Sequence, residues 1–166
     1  MTTHEEPALR PATPADAADV ARIWHEGWAD GHLGNVPAAL VAVRTPHSFG
    51  LRAPQRITDT VVAVVGGAVA GFVMVVDDEV EQVYVAAHHR GTRVSKALLA
   101  AAEQRVAERG HSRAWLAVVN GNTRARRFYE RNGWTDEGLF EYLAASDSGP
   151  IRVPCHRYAK RVSTAG

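Results

Sequence analysis

Cysteine, long apolar runs and net charge are all scarce in this sequence. The 166 residues include a single cysteine, Cys155, so no internal disulfide forms, and this usage is typical of a reducing compartment. No apolar run approaches the ~20 residues that a membrane helix needs. The N-terminal residues MTTHEEPALRP contain two glutamates instead of the apolar core of a secretory signal. These absences predict a cytoplasmic protein.

The near-neutral charge also limits the partners that we expect. A net charge of +1 gives no global electrostatic reason to expect a nucleic acid or a membrane surface. Eight histidines are present, but they form no helical His-x-x-x-His pair and have no cluster of thiolate partners, so no metal site is predicted. With 46% hydrophobic and 22% charged residues, the chain has the composition of one globular domain over residues 1–166.

A basic glycine turn lies between an apolar strand and an amphipathic helix in the middle of the chain. The run from Val80 to Ala87 precedes the turn HHRGTR, and apolar residues at helical spacing follow from Val94 to Val106, with Gly110 at the expected C-cap. The first N–H groups of such a helix lack internal partners, and the helix dipole adds positive charge there. The turn therefore predicts an anion site, although on its own it resembles many ordinary strand-to-helix connections.

The flanking sequence predicts a mixed arrangement of strands and helices. Thr13 and Pro14 begin a helix whose apolar face includes Trp24 and Trp28. The segment from Gly31 to Arg56 has no strong period, and we expect it to form the wall of an acceptor site, with a short helix from Ala38 to Val43. Further strands are predicted at 8–12, 60–65, 68–76, 114–119, 139–144 and 151–158, and a short helix follows Asn122 and ends at Gly133.

Two motifs in this sequence resemble those of the GNAT superfamily of acetyl-coenzyme A-dependent N-acetyltransferases. The stretch QVYVAAHHRGTRVSKALL (residues 82–99) is similar to the acyl-coenzyme A motif, in which R-G-x-G-x-G/A joins a strand to a helix. The stretch NGNTRARRFYERNGW (residues 120–134) is similar to N-x-x-A-x-x-F-Y-x-x-x-G-[FW]. Both motifs occur in the family's order, which makes the pair more specific than either alone.

The resemblance implies an α/β (α+β) GNAT fold. This fold is a mixed, mostly antiparallel sheet of about seven strands with helices on both faces, in which the fourth and fifth strands splay apart. It also implies that pantetheine inserts between these strands and pairs with the backbone of one of them. The Tyr84 side chain, on the opposite face to Val83 and Val85, is expected to be core. The resemblance assigns the following residues to acetyl-CoA: Val83, Tyr84, Val85, Arg90, Gly91, Thr92, Arg93, Val94, Ser95, Lys96, Asn122 and Arg126.

The predicted phosphate loop departs from the family pattern at two positions. Arg93 stands where the family has glycine, and Ser95 stands where it has glycine or alanine. A long side chain at Arg93 either fills the space for the diphosphate or swings outward and adds a charge-assisted contact to a phosphate. We favour the outward orientation.

Tyr129, Glu79 and Glu81 are the candidate catalytic residues. The resemblance implies that Tyr129 acts as general acid or hydrogen-bond donor to the departing thiolate, whereas without the motif it would be a packed helix tyrosine. Glu79 and Glu81 lie two apart on one strand, so they share a face, and either can act as the base. A solvated strand edge explains the two glutamates equally well.

Asn122 and nearby arginines have two interpretations each. Asn122 resembles the family's asparagine that contacts the pantetheine arm, and it is also suited to cap a helix. Arg126, with Arg124 and Arg127, forms a basic face for a 3′-phosphate or simply a solvated surface. His25, Glu26 and His32 lie in sequence near the expected acceptor side.

The predicted function is transfer of an acetyl group from acetyl-CoA to a primary amine of a small molecule or protein. The resemblance implies direct attack in a ternary complex, and Cys155 lies away from both motifs. The alternative is a non-catalytic acyl-CoA-binding or regulatory GNAT-like module, which Arg93 keeps open. The sequence identifies neither the acceptor nor the oligomeric state, and the resemblance is compatible with a homodimer.

Overall fold

A seven-stranded mixed sheet organises residues 5–162, the part of the chain that the computed structural model describes. The strands follow the spatial order β1-β2-β3-β4-β5-β7-β6, and every neighbouring pair is antiparallel except β4 and β5, which are parallel. The predicted mixed, mostly antiparallel sheet is therefore confirmed. The bounds are β1 (Ala8–Pro11), β2 (Thr60–Val65), β3 (Ala68–Val76), β4 (Glu79–Val85), β5 (Arg113–Val119), β6 (Thr135–Ala144) and β7 (Ile151–Arg161).

Helices cover both faces of the sheet, as predicted. On one face a core that includes Trp24, Phe49 and Phe72 joins α1 (Ala17–His32), α2 (Ala38–Val43) and α3 (Pro46–Gln55) to the strands. On the other face a core that includes Leu98 and Tyr129 lies beneath α4 (Arg93–Glu108) and α5 (Thr123–Arg131). Within residues 5–162, none of these helices combines the length and apolarity needed to cross a bilayer.

The segment from Gly31 to Arg56 is more helical than we predicted. The expected short helix α2 is present, but α3 was missed because Gly50 and Pro54 suggested irregular structure. Thr45 caps α3 by accepting a hydrogen bond from the Ser48 amide (3.2 Å). Phe49, one turn into the helix, is buried against Trp24 of α1, so tertiary packing outweighs the poor local propensity.

Strands β4 and β5 meet only at their beginnings. Glu79 and Trp115 form their one register pair, and beyond it the strands separate toward Val85 and Val119, which confirms the predicted splay. Trp115 closes the narrow end of the gap with two bonds to Asp78. Its amide donates to the Asp78 carbonyl oxygen (3.1 Å), and its indole Nε1 donates to the carboxylate (3.1 Å). The gap therefore opens toward the starts of α4 and α5.

Candidate active site

Two cavities meet inside the gap between β4 and β5. Cavity A, of about 550 Å³, extends from the gap toward α1–α3 and β6. Cavity B, of about 520 Å³, extends from the gap between α4 and α5. The residues that line both cavities are Val83, Tyr84, Asn122, Ala125 and Tyr129. The two spaces therefore form one continuous cleft through the sheet.

Cavity B has the chemistry of a phosphate site. The loop residues Arg90, Gly91 and Thr92 line one wall, and Gly91 has the positive φ of +74° that favours glycine. Thr92 caps α4 by accepting a hydrogen bond from the Val94 amide (3.4 Å). Lys96 adds positive charge beside the positive end of the helix dipole. These groups suit the diphosphate of a coenzyme.

Three residues that we predicted to bind the coenzyme direct their side chains elsewhere. Arg93 is exposed and forms an ion pair with Glu6, so it turns outward and does not line cavity B. Val94 is buried in the core beneath α4. The Arg126 guanidinium donates to the Tyr158 hydroxyl (3.2 Å) and contacts the Asp136 carboxylate (3.4 Å).

Two other arginines of α5 occupy the wall that we had assigned to Arg126. Arg124 and Arg131 line cavity B together with Ser95 and Phe128. Arg124 belongs to the predicted basic face, whereas Arg131 was missed. Because α5 is a single short helix, the face that meets the cavity depends on how the helix rotates against the sheet.

Two glycines of α1 allow the cleft residues to approach the helix closely. A methyl group at Gly27 would overlap the Tyr84 ring, and one at Gly31 would lie 2.8 Å from the Asn122 amide nitrogen. Neither position was predicted from the sequence, although glycines four residues apart on one helix face were a usable signal. The Asn122 side chain also accepts a hydrogen bond from the Ala125 amide (3.2 Å), so it caps α5 while lining the cleft.

Tyr129 lies at the junction of the two cavities. Its ring packs against Trp134 and Tyr158, at centroid distances of 6.1 and 6.2 Å, and the residue is only 9% exposed. No hydrogen bond joins its hydroxyl to another residue in the range 5–162. Burial raises the pKa of the hydroxyl well above its ordinary value, so Tyr129 stays protonated and can act as a donor.

A β-bulge changes which side chains of β4 face cavity A. The β3–β4 register passes from Met74↔Gln82 to Val75↔Val80, which leaves Glu81 without a partner on β3. Alternation is therefore interrupted, and Tyr84 lies on the same side of the strand as Glu79. The Tyr84 ring packs against the core beside Phe72, at a centroid distance of 5.9 Å, in keeping with the expected core position, and it also lines both cavities.

The two candidate bases differ in their surroundings. Glu79 accepts a hydrogen bond from the Tyr142 hydroxyl (2.8 Å), and burial raises the pKa of its carboxyl to about 6. Glu81 instead forms an ion pair with Arg56 (2.6 Å). Both glutamates line cavity A, and the pKa of Glu79 is shifted toward neutrality, as is common for catalytic groups. Tyr142, on β6, was missed because the contact joins residues 63 positions apart.

The acceptor-side residues proposed from sequence separate in the structure. His32 lines cavity A, stacks on Trp28 at 4.9 Å, and has a pKa lowered to about 4 by burial, so it is neutral. Glu26 is exposed, and His25 contacts the edge of Phe49 instead of the cavity. Across residues 5–162, no group of three His, Cys, Asp or Glu side chains is arranged to hold a metal ion.

The fold and this cleft define a class of acyl-coenzyme A-dependent transferases. Residues 22–134 match the family model described as Acetyltransferase (GNAT) family, and the chain belongs to that family. It is therefore an acetyltransferase that uses acetyl-CoA as its acetyl donor. No curated protein matches the chain significantly.

Solved structures with the same fold cover nearly the whole chain. A GCN5-related N-acetyltransferase from Rhodopseudomonas palustris is 20% identical with a TM-score of 0.73, over 97% of this chain and 99% of that one. The yncA protein of Salmonella typhimurium, solved with acetyl-CoA, is 17% identical with a TM-score of 0.69, over 97% and 96% of the two chains. A ribosomal-protein-alanine N-acetyltransferase from Brucella melitensis is 20% identical with a TM-score of 0.68, over 93% and 99%. At these identities the similarity establishes the fold.

Proposed function

We propose that the protein acetylates a primary amine by direct attack in a ternary complex, with the coenzyme in cavity B and the acceptor in cavity A. The main support is the junction of the two cavities beside Tyr129 and the unpaired part of β4. A thioester at this junction is reachable from both sides of the sheet. The acetyl group then passes from one substrate to the other without a covalent enzyme intermediate.

The coenzyme fits the residues around cavity B. The backbone from Val83 to Val85 has no ladder with β5, so it is available to pair with an extended pantetheine arm. Lys96 and the start of α4 would hold the diphosphate, beside Arg90, whose guanidinium forms an ion pair with Asp30 (2.7 Å). Arg124 and Arg131 are suited to the adenosine phosphate. When bound, acetyl-CoA supplies the activated thioester carbonyl.

Glu79 is the residue that we propose as general base. A pKa of about 6 leaves its carboxylate ionised at neutral pH, yet more basic than an ordinary glutamate. Its carboxylate receives the amine proton directly or through water, and the hydrogen bond from the Tyr142 hydroxyl to Oε2 orients it. Glu81 is a weaker candidate because its carboxylate is held by Arg56.

Tyr129 is the residue that we propose as donor to the departing sulfur. The raised pKa of its hydroxyl makes complete proton transfer to a thiolate uphill, since thiols have pKa values near ~8.5. Stabilisation of the thiolate by a hydrogen bond from the hydroxyl needs no such transfer. The buried position of the ring fixes the hydroxyl at the junction.

The experiment that tests this proposal follows thiol release from acetyl-CoA with a panel of primary amines. We expect turnover by the native chain, and a loss of about 10- to 100-fold in kcat for Tyr129→Phe with coenzyme affinity retained. Tyr158→Phe is the matched control, because Tyr158 is a buried tyrosine outside both cavities. Equal kcat values for Tyr129→Phe and the native chain contradict the assigned role.

The cytoplasmic location and the homodimer stay predictions. A single cysteine in 166 residues favours a reducing compartment. Size-exclusion chromatography with light scattering measures the oligomeric state, and a monomer at all concentrations contradicts a homodimer.

A further inference from the structure

Cavity A contains more cationic than anionic side chains. Three arginines line it: Arg44 at the end of α2, Arg52 on α3 and Arg56 just after α3. The acidic residues of its wall are Glu79 and Glu81. This cavity therefore differs from a site that attracts a simple cationic amine through negative charge alone.

The three arginines differ in how they are neutralised. Arg56 forms ion pairs with Glu81 (2.6 Å) and Asp59 (3.3 Å). Within residues 5–162, neither Arg44 nor Arg52 has a carboxylate within 4.0 Å. Arg44 donates one hydrogen bond to the Ala145 carbonyl oxygen (2.6 Å), and the Arg52 guanidinium stacks 4.5 Å from the centre of the Trp24 ring.

Holding two half-buried cations near each other is unfavourable without an anion. Burial lowers the pKa of Arg44, and it lowers that of Arg52 to about 10, with further lowering from Arg44 and Arg56. A guanidinium is not deprotonated in proteins at neutral pH, so both groups carry a positive charge. The fold thus positions two guanidinium groups without carboxylate partners on the wall of one cavity, where an incoming anion would offset the desolvation and the repulsion between cations.

We infer that Arg44 and Arg52 form a subsite for a carboxylate on the acceptor, so that the substrate is a small amino acid in which one molecule bears both the amine and the carboxylate. This inference rests on the proposed function, because it assigns the other end of the acceptor whose amine meets Glu79. A guanidinium presents a planar fork of N–H donors that matches a carboxylate. The Arg52 guanidinium lies over the Trp24 ring, which supports it on the cavity wall.

A comparison of matched acceptors tests the inference. The probes are L-leucine, L-phenylalanine, L-methionine, β-alanine and 4-aminobutyrate, each paired with its carboxamide and its decarboxylated amine. We expect at least one acid to exceed both neutral partners by 10-fold or more in kcat/KM, mainly through KM, because only the acid engages the two arginines. A dipeptide beginning with the preferred residue distinguishes a free amino acid from a peptide N-terminus, since its carboxylate lies farther from the amine.

Substitutions of the arginines connect the preference to the subsite. We expect Arg52→Gln and Arg44→Gln to lower kcat/KM for the acid by about 10- to 100-fold while leaving turnover of the neutral amines within about twofold. Arg52→Lys keeps the charge without the fork and should restore part of the preference. Arg22→Gln, on the exposed side of α1, is the matched control and should change neither value.

The outcomes separate this inference from the proposed function. Equal turnover of acids and neutral partners, unchanged in the arginine variants, overturns the carboxylate subsite but leaves the transferase intact. Absence of thiol release with every amine contradicts the proposed acetyl acceptor. Calorimetric binding of the N-acetylated acids in the presence of coenzyme A then still decides the subsite, because binding that is absent or insensitive to Arg52→Gln overturns it. Thermal melting verifies that each variant is folded.

Discussion

The pH dependence of acetyl transfer tests the assignment of Glu79 as base. Burial raises the pKa of this carboxyl to about 6, so only about one-eleventh of it is ionised at pH 5, whereas an ordinary glutamate would be about three-quarters ionised. The ionised form is the one that accepts a proton, so activity falls as pH decreases through 6. We expect the fall to approach tenfold per pH unit below that value.

The assay compares kcat/KM of the native chain and of Glu79→Gln over the range from about pH 5 to pH 8, using one amine acceptor and thiol release. The acceptor's own ionisation affects both proteins equally, so the ratio of the two values isolates Glu79. We expect this ratio to level off above about pH 7, at ~10²–10⁴, to reach half of that value near pH 6 and to decrease further below it. A ratio that is close to one, or that is independent of pH, refutes the reasoning. The same measurement on Glu81→Gln shows how much activity depends on the carboxylate that is paired with Arg56.

Three further predictions concern groups around the cleft. Tyr142→Phe removes a hydrogen bond that lowers the pKa of Glu79, so the pH below which activity falls should move above 6. A fall that begins at the same pH as in the native chain contradicts the contact. Gly27→Ala should displace the Tyr84 ring and lower the free energy of unfolding by about 1–3 kcal/mol, measured in urea. Gly50→Ala adds a methyl group that meets nothing within 4 Å, so it should leave the free energy of unfolding unchanged or raise it. Equal changes in the two glycine variants would contradict the overlap at Gly27. Asp16→Asn should lower the free energy of unfolding by about 1–2 kcal/mol near neutral pH. The reason is that the Asp16 carboxylate accepts hydrogen bonds from the Arg10 guanidinium and from the backbone amide of the cap residue Thr13. An arginine partner lowers the pKa of that carboxyl to about 2, so its stabilisation is present above the ordinary value of 3.8 and disappears as pH falls through 2; a difference that persists below about pH 2 contradicts it.

Local signals in the sequence predicted most of the fold. The cap at Thr13, the valine-rich strands joined at Gly66 and Gly67, and the glycine after α4 each mark an element where the structure has one. Helix α3 was missed because its local sequence, with Gly50 and Pro54, is typical of a loop. Its stability comes from Phe49 packing on another helix, which no local window contains.

The parts of the candidate site that belong to a sequence motif could be predicted, whereas the parts that depend on the packing of distant segments could not. Tyr129 and the loop at Gly91 belong to short stretches with a recognisable pattern, and the structure brings both to the cleft. The side of β4 that Tyr84 occupies depends on a bulge, and strict alternation cannot reveal it. That Arg44 and Arg52 line the same cavity could not be predicted, because it depends on how α2 and α3 pack onto the sheet.

The double attachment of Trp115 to Asp78 has a mechanical consequence for the enzyme. It fixes the start of β4 beside β5, and from there β4 spans roughly 20 Å to Val85, where it remains paired with β3. A rotation of about 5° at the fixed base would shift the far end by about 1.7 Å, about one-third of the spacing between neighbouring strands. We therefore expect the width of the cleft at the thioester to depend on this remote contact, so that substitutions at Asp78 or Trp115 change activity without contacting either substrate.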